Sequence, residues 1–147
     1  MNEKMNKKLA EALTQISEEI PNVNYGGCGI VAYELSKALS KKGVRSSIIE
    51  IGSLSHIVVK VGDAYFDADG LYAIGRSQLH HNAVVQYGTD STRRISRKEL
   101  RETIDCADLW NPAFDRSEYV EDLKAIVRYA VDVTMSAEIN YGDEASS

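Results

Sequence analysis

Two segments with alternating apolar residues, Ser55-His56-Ile57-Val58-Val59-Lys60-Val61 and Ala64-Tyr65-Phe66-Asp67-Ala68-Asp69, are separated only by Gly62-Asp63. A two-residue link with glycine at its first central position predicts a type II′ hairpin, and the turn dictates the register of the strands. Val61 then faces Ala64, Val59 faces Phe66 and Ile57 faces Ala68, all on one side. The opposite side carries His56, Val58, Lys60, Tyr65, Asp67 and Asp69. A slip of one residue would turn the whole apolar set outward, so turn and alternation support the same pairing. An imidazole and two carboxylates therefore share one face of a small antiparallel sheet.

Upstream lies Tyr25-Gly26-Gly27-Cys28-Gly29, followed directly by an amphipathic helix pattern. A thiol on a tight loop at a helix N-terminus meets unpaired N–H groups and the positive end of the dipole, which favour thiolate. Glycines keep such a loop open to the close approach of a substrate backbone. The helix is expected from about Cys28 to Lys42, with Val31, Leu35, Ala38 and Leu39 as its apolar stripe. Cys28 precedes Val31 by one helical step, which turns the thiol inward toward the sheet. Lys41 and Lys42 suit the negative helix end, and Gly43 supplies the C-cap.

The remaining elements frame this centre. Leu9, Leu13, Ile16 and Ile20 recur at spacings of three and four, predicting a helix over 2–20 that Pro21 ends. Residues 44–51 read as a strand through Ile48, Ile49 and Ile51. Leu71-Tyr72-Ala73-Ile74 extends the hairpin, and Ala83-Val84-Val85-Gln86-Tyr87 reads as a short strand. Ser96-Arg97-Lys98-Glu99 is a capping box opening a helix to about Asp105. Asp115 or Ser117 caps a long helix with Tyr119, Leu123, Ile126, Val127, Ala130 and Val131 on one face. Residues 1–135 are expected as one domain and 136–147 as a polar, frayed tail.

The 147 residues are enough to bury roughly two-thirds of the unfolded surface. A net charge of -5 offers no overall attraction to nucleic acid or anionic membrane, and no apolar run reaches the roughly 20 residues of a membrane span. Two cysteines, Cys28 and Cys106, are too few for a disulfide scaffold and suit a reduced, cytoplasmic protein. Cys106 has no histidine nearby in sequence and reads as inert. His80-His81 reads as solvated loop, because adjacent histidines need further ligands to hold an ion; neither a metal nor a cofactor is expected. Arg93-Arg94 and Arg97-Lys98 form a basic run, most simply a solvated approach to a helix. Tyr25, Tyr33, Tyr65, Trp110 and Phe114 read as core or rim packing rather than as a substrate groove.

Gly-Gly-Cys-Gly opening a helix, then Ser-His-Ile-Val-Val-Lys-Val-Gly-Asp-Ala-Tyr-Phe-Asp, resembles the papain-like cysteine protease superfamily, in particular its transglutaminase-like branch. The resemblance spans about residues 24–70. It implies an α+β fold in which the cysteine-bearing helix packs on a small antiparallel sheet, with flanking helices. By position it makes Cys28 the nucleophile, His56 the general base and acid, and Asp67 the orienting acid. The step of 11 residues from His56 to Asp67 fits a short-hairpin member. In the flat register Asp69 stands directly across from His56 and Asp67 diagonally, so Asp69 is the rival third member. The oxyanion would be held by the Cys28 N–H, with Asn24, Asn22 or a loop amide as the second donor. Where the branch often has a tryptophan after the histidine and Pro-Thr after the aspartate, this chain has Ile57-Val58 and Ala68-Asp69-Gly70.

The function implied is a cysteine-dependent hydrolase or acyltransferase acting on an amide, isopeptide or thioester carbonyl of a peptide, protein or small acyl substrate. A compact domain of this kind would suit a bacterial or phage accessory protein. The alternative is an inactive papain-like-fold binding or regulatory protein.

Overall fold

The computed structural model describes residues 1–21, 23, 27–52, 56–88, 91–107 and 116–146. Within these it describes the side chains of all but 71–74, 87, 103, 105–107, 116, 117 and 137–146. The architecture is α+β. Helices α1 (Glu3–Glu19) and α2 (Cys28–Lys41) precede strands β1 (Ser47–Ile51), β2 (His56–Val61), β3 (Ala64–Asp67) and β4 (Gly70–Ile74). Helix α3 (Arg76–Tyr87), strand β5 (Thr92–Ile95) and helices α4 (Arg97–Ala107) and α5 (Arg116–Ser146) complete the chain.

The five strands form one antiparallel sheet in the order β4-β3-β2-β1-β5. The pairing of β2 with β3 is Val59 with Phe66 and Val61 with Ala64, as the Gly62-Asp63 turn dictates. Gly62 takes φ 59, the positive value required at that turn position. Ile57, Val59, Val61, Ala64, Phe66 and Ala68 enter the main core. There they meet Leu9, Leu13 and Ile16 of α1, Val31, Leu35 and Leu39 of α2, and Leu123, Val127 and Ala130 of α5.

Local signals account for the helix ends. Asn2 caps α1 by accepting the Met5 N–H at 2.8 Å, and Ser96 caps α4 by accepting the Glu99 N–H at 3.1 Å. After α2 the chain reverses at Gly43, whose φ of 77 admits the left-handed cap. The stretch read as a polar tail is helical in its backbone, since α5 runs on to Ser146.

The largest departure lies between β4 and β5. Residues 83–87, expected as a strand, belong to α3, and His80 and His81 lie on that helix rather than in a loop. Gly88, with φ 74, ends it in a left-handed cap. Val84 and Val85 suggested a strand by their β-branching, yet both face solvent. Leu79 and Ala83, one helical turn apart, do the packing. They meet Ile51, Val58 and Tyr65 in a second small core on the far face of the sheet. Helix α3 covers this face, so Val58 and Tyr65 are buried on the side opposite the main core.

Candidate active site

Cys28 is the first residue of α2 and is partly exposed while packing against the main core. Gly27 precedes it in a helical conformation and offers no side-chain cap. The first i→i−4 bond of the helix is Val31 N–H to the Gly27 carbonyl at 3.0 Å. The N–H groups of Cys28, Gly29 and Ile30 therefore precede the hydrogen-bonded ladder, where a helix can receive an anion.

Two of the glycines have a packing role of their own, and Gly26 lies outside the described residues. A Cβ on Gly27 would lie 2.6 Å from the Val23 carbonyl oxygen, and one on Gly29 would lie 3.2 Å from Ile104 Cγ1. Both positions admit close contact with the protein's own chain: Gly27 with the loop before α2, Gly29 with α4. Their smallness seats the start of α2 against its neighbours, and with it the thiol.

His56 opens β2 and is 4% exposed; Asp67 closes β3 and is equally buried. His56 Nε2 lies 2.8 Å from Asp67 Oδ2. The other carboxylate oxygen, Asp67 Oδ1, accepts the Asp69 N–H at 2.8 Å. Asp67 is thus held at both oxygens, one by the ring it orients and one by the turn that follows it.

This geometry decides between the two carboxylates considered for His56. The flat register would have set Asp69 across from His56, but β3 ends at Asp67 and turns through Ala68-Asp69 into β4, where Asp67 pairs with Gly70. Asp69 is exposed in that turn and contributes its backbone N–H to Asp67, while the Asp67 carboxylate meets the ring. Gly70 makes the reversal possible: its φ is 106, and a Cβ there would lie 2.8 Å from the Ala10 carbonyl oxygen of α1. The Asp69 N–H was missed from sequence, although Asp-Ala-Asp-Gly carries the signal. An aspartate commonly accepts the backbone N–H two residues on.

Cys28 completes the cluster through a hydrogen bond with His56. Nε2 of the ring is engaged by Asp67. The pKa of His56 is pushed up from 6.5 to about 9. Burial is the largest influence and works against the charged ring, but hydrogen bonds to Asp67 and Cys28, and the charges on both, outweigh it. At neutral pH the ring is an imidazolium between a carboxylate and a sulfur.

Asn22, Asn24, Tyr25, Trp110 and Phe114 lie outside the described residues, as does the side chain of Cys106. Tyr65 is core beneath α3, and Tyr33 packs at the edge of the main core with the Arg101 guanidinium 6.0 Å from its ring centre. Among the described residues, no three His, Cys, Asp or Glu side chains converge as a metal site, and no helix is long and apolar enough to cross a membrane. The chain matches no protein-family model, no curated protein and no solved structure.

Proposed function

We propose that this protein is a cysteine-dependent hydrolase or acyltransferase of papain-like, transglutaminase-like design. The observation that carries the reading is the buried His56 Nε2–Asp67 Oδ2 bond of 2.8 Å on a ring that also bonds Cys28 at a helix start. A nucleophile, a proton carrier and a group that orients the carrier are together, which is the minimum set for acyl transfer through a thioester.

In the proposed cycle the Cys28 sulfur attacks the carbonyl carbon of an amide, isopeptide or thioester. The developing oxyanion is met by first-turn N–H groups of α2, led by that of Cys28. Collapse breaks the carbonyl–leaving-group bond, and His56 gives its proton to the departing amine or thiolate. An acyl-thioester remains on Cys28. His56, now neutral, takes a proton from water or an acceptor amine as that nucleophile attacks the thioester. The carbon–sulfur bond breaks, the acid or amide product leaves, and the Cys28 thiolate returns beside the protonated ring. Asp67 keeps the ring aimed throughout and stabilises its charged form. Peptides, proteins and small acyl donors are the proposed substrates, and the cytoplasm the proposed compartment.

Alkylation by iodoacetamide at about pH 6 tests the reading, because an ordinary thiol is almost wholly protonated there. Cys28 should label much faster than a free thiol and than Cys106, and His56→Ala should remove the difference. Equal labelling of Cys28 and Cys106 at the rate of a free thiol would overturn it and leave a binding protein on the same fold. With an acyl donor, competition between water and a primary amine sorts hydrolase from transferase.

A further inference from the structure

A groove of about 1060 Å³ opens at the end of β1 and β2 opposite His56, where Ser47 pairs with Lys60. Its walls include Arg45, Lys60, Arg94 and Arg97 together with Ser47 and Ser96, and no described aspartate or glutamate lines it. Positive charge is thus concentrated in one concavity of a chain whose net charge is -5.

The cations come from the segment before β1, from β2, from β5 and from the start of α4, and strand alternation separates Arg94 from its neighbour. Arg93 and Arg94 are neighbours on β5 and point to opposite faces of the sheet. Arg93 is tied to Glu50 at 3.4 Å and to Glu99. Arg94 pairs in register with Ile49 on the other face and reaches the groove. Among the described residues no carboxylate forms an ion pair with Arg45, Lys60, Arg94 or Arg97. The N-terminus of α4 opens here as well, with Ser96 as its cap and Arg97 as its first residue. Guanidinium forks, serine hydroxyls and helix N–H groups are all donors suited to phosphate oxygens. Among the described residues the lining holds no aromatic side chain on which a nucleobase could stack, so the recognition these residues offer is of the phosphates themselves.

We propose that this groove binds an oligophosphate group of a soluble small molecule, at a site separate from Cys28, His56 and Asp67. Several cations in one concavity with no described carboxylate among them match a ligand carrying several anionic charges close together.

Titration of the ¹⁵N-labelled full chain with sodium tripolyphosphate, followed by amide shifts, tests this. Saturable shifts centred on Ser47, Arg94, Ser96 and Arg97 are expected, with affinity falling as salt rises. The double variant Arg94→Gln/Arg97→Gln, substituted at exposed positions, should weaken binding by about tenfold or more. Lys7→Gln, on α1, should leave binding unchanged. Cys28→Ala should also leave it unchanged, so the result stands apart from that for the thiol site. Equal binding of ATP and tripolyphosphate supports recognition of the phosphate chain alone. Shifts spread over all basic surfaces, undiminished binding by the double variant, or tighter binding of a hexaglutamate peptide at the same residues would overturn the proposal.

Discussion

Asp67 touches His56 with one carboxylate oxygen and the Asp69 backbone with the other, each at 2.8 Å. The two aspartates of Asp67-Ala68-Asp69 therefore differ in which part of the residue matters. Asp67 acts through its carboxylate, whereas Asp69 serves Asp67 through its main-chain N–H. Asp67→Ala leaves a buried imidazolium without its counter-charge and should cost about 3–5 kcal/mol in urea unfolding. It should also slow alkylation of Cys28. Asp69→Ala keeps the N–H and should stay within about 0.5 kcal/mol of the parent. Equal effects of the two substitutions would contradict this division.

The stability of the protein should fall on the alkaline side. His56 titrates at about 9 when folded and near 6.5 when unfolded. Its contribution is fully present below 6.5 and is lost as pH rises through 9, because only the folded state holds the proton in that window. The loss is on the order of 3 kcal/mol. Urea midpoints measured from about pH 6 to about pH 10 should show this decline, and His56→Gln should flatten it.

Gly27 tests how the thiol is seated. Serine is ordinarily a better N-cap than alanine and at least the equal of glycine. Here any Cβ meets the Val23 carbonyl at 2.6 Å, so Gly27→Ser should destabilise rather than stabilise, by about 1–3 kcal/mol. Thermal unfolding checks the sign. Slower Cys28 labelling in the folded variant would follow from a displaced helix start.

The far-face cover formed by α3 can be tested through one buried and one exposed apolar residue. Leu79 is 2% exposed and its truncation to alanine should cost about 2–5 kcal/mol. Val85 is 75% exposed, so Val85→Ser should change stability by less than about 0.5 kcal/mol. A strand in this segment would bury alternate residues and predict a different ranking.

Much of the framework is legible in local sequence because its causes are local. The Gly62-Asp63 turn sets the hairpin register, the stripe Leu9, Leu13, Ile16, Ile20 defines the buried face of α1, and Ser96 with Glu99 starts α4. Residues 83–87 were misread because β-branching at Val84 and Val85 outweighed the weaker pairing of Leu79 with Ala83. Only the tertiary fold shows which side of that segment finds a partner.

The order of Cys28 at a helix start, His56 at a strand start and Asp67 one hairpin later was determined by the sequence alone, along with the nearness of His56 and Asp67 across the Gly62-Asp63 turn. What the tertiary structure decided was the choice of carboxylate and the burial of the pair. Asp67 rather than Asp69 meets His56 because β3 must turn at Gly70 to pass beneath α1. The far face of the sheet is buried because α3 folds back across it. Both depend on contacts between segments distant in sequence, and a pattern of neighbouring residues carries no record of them.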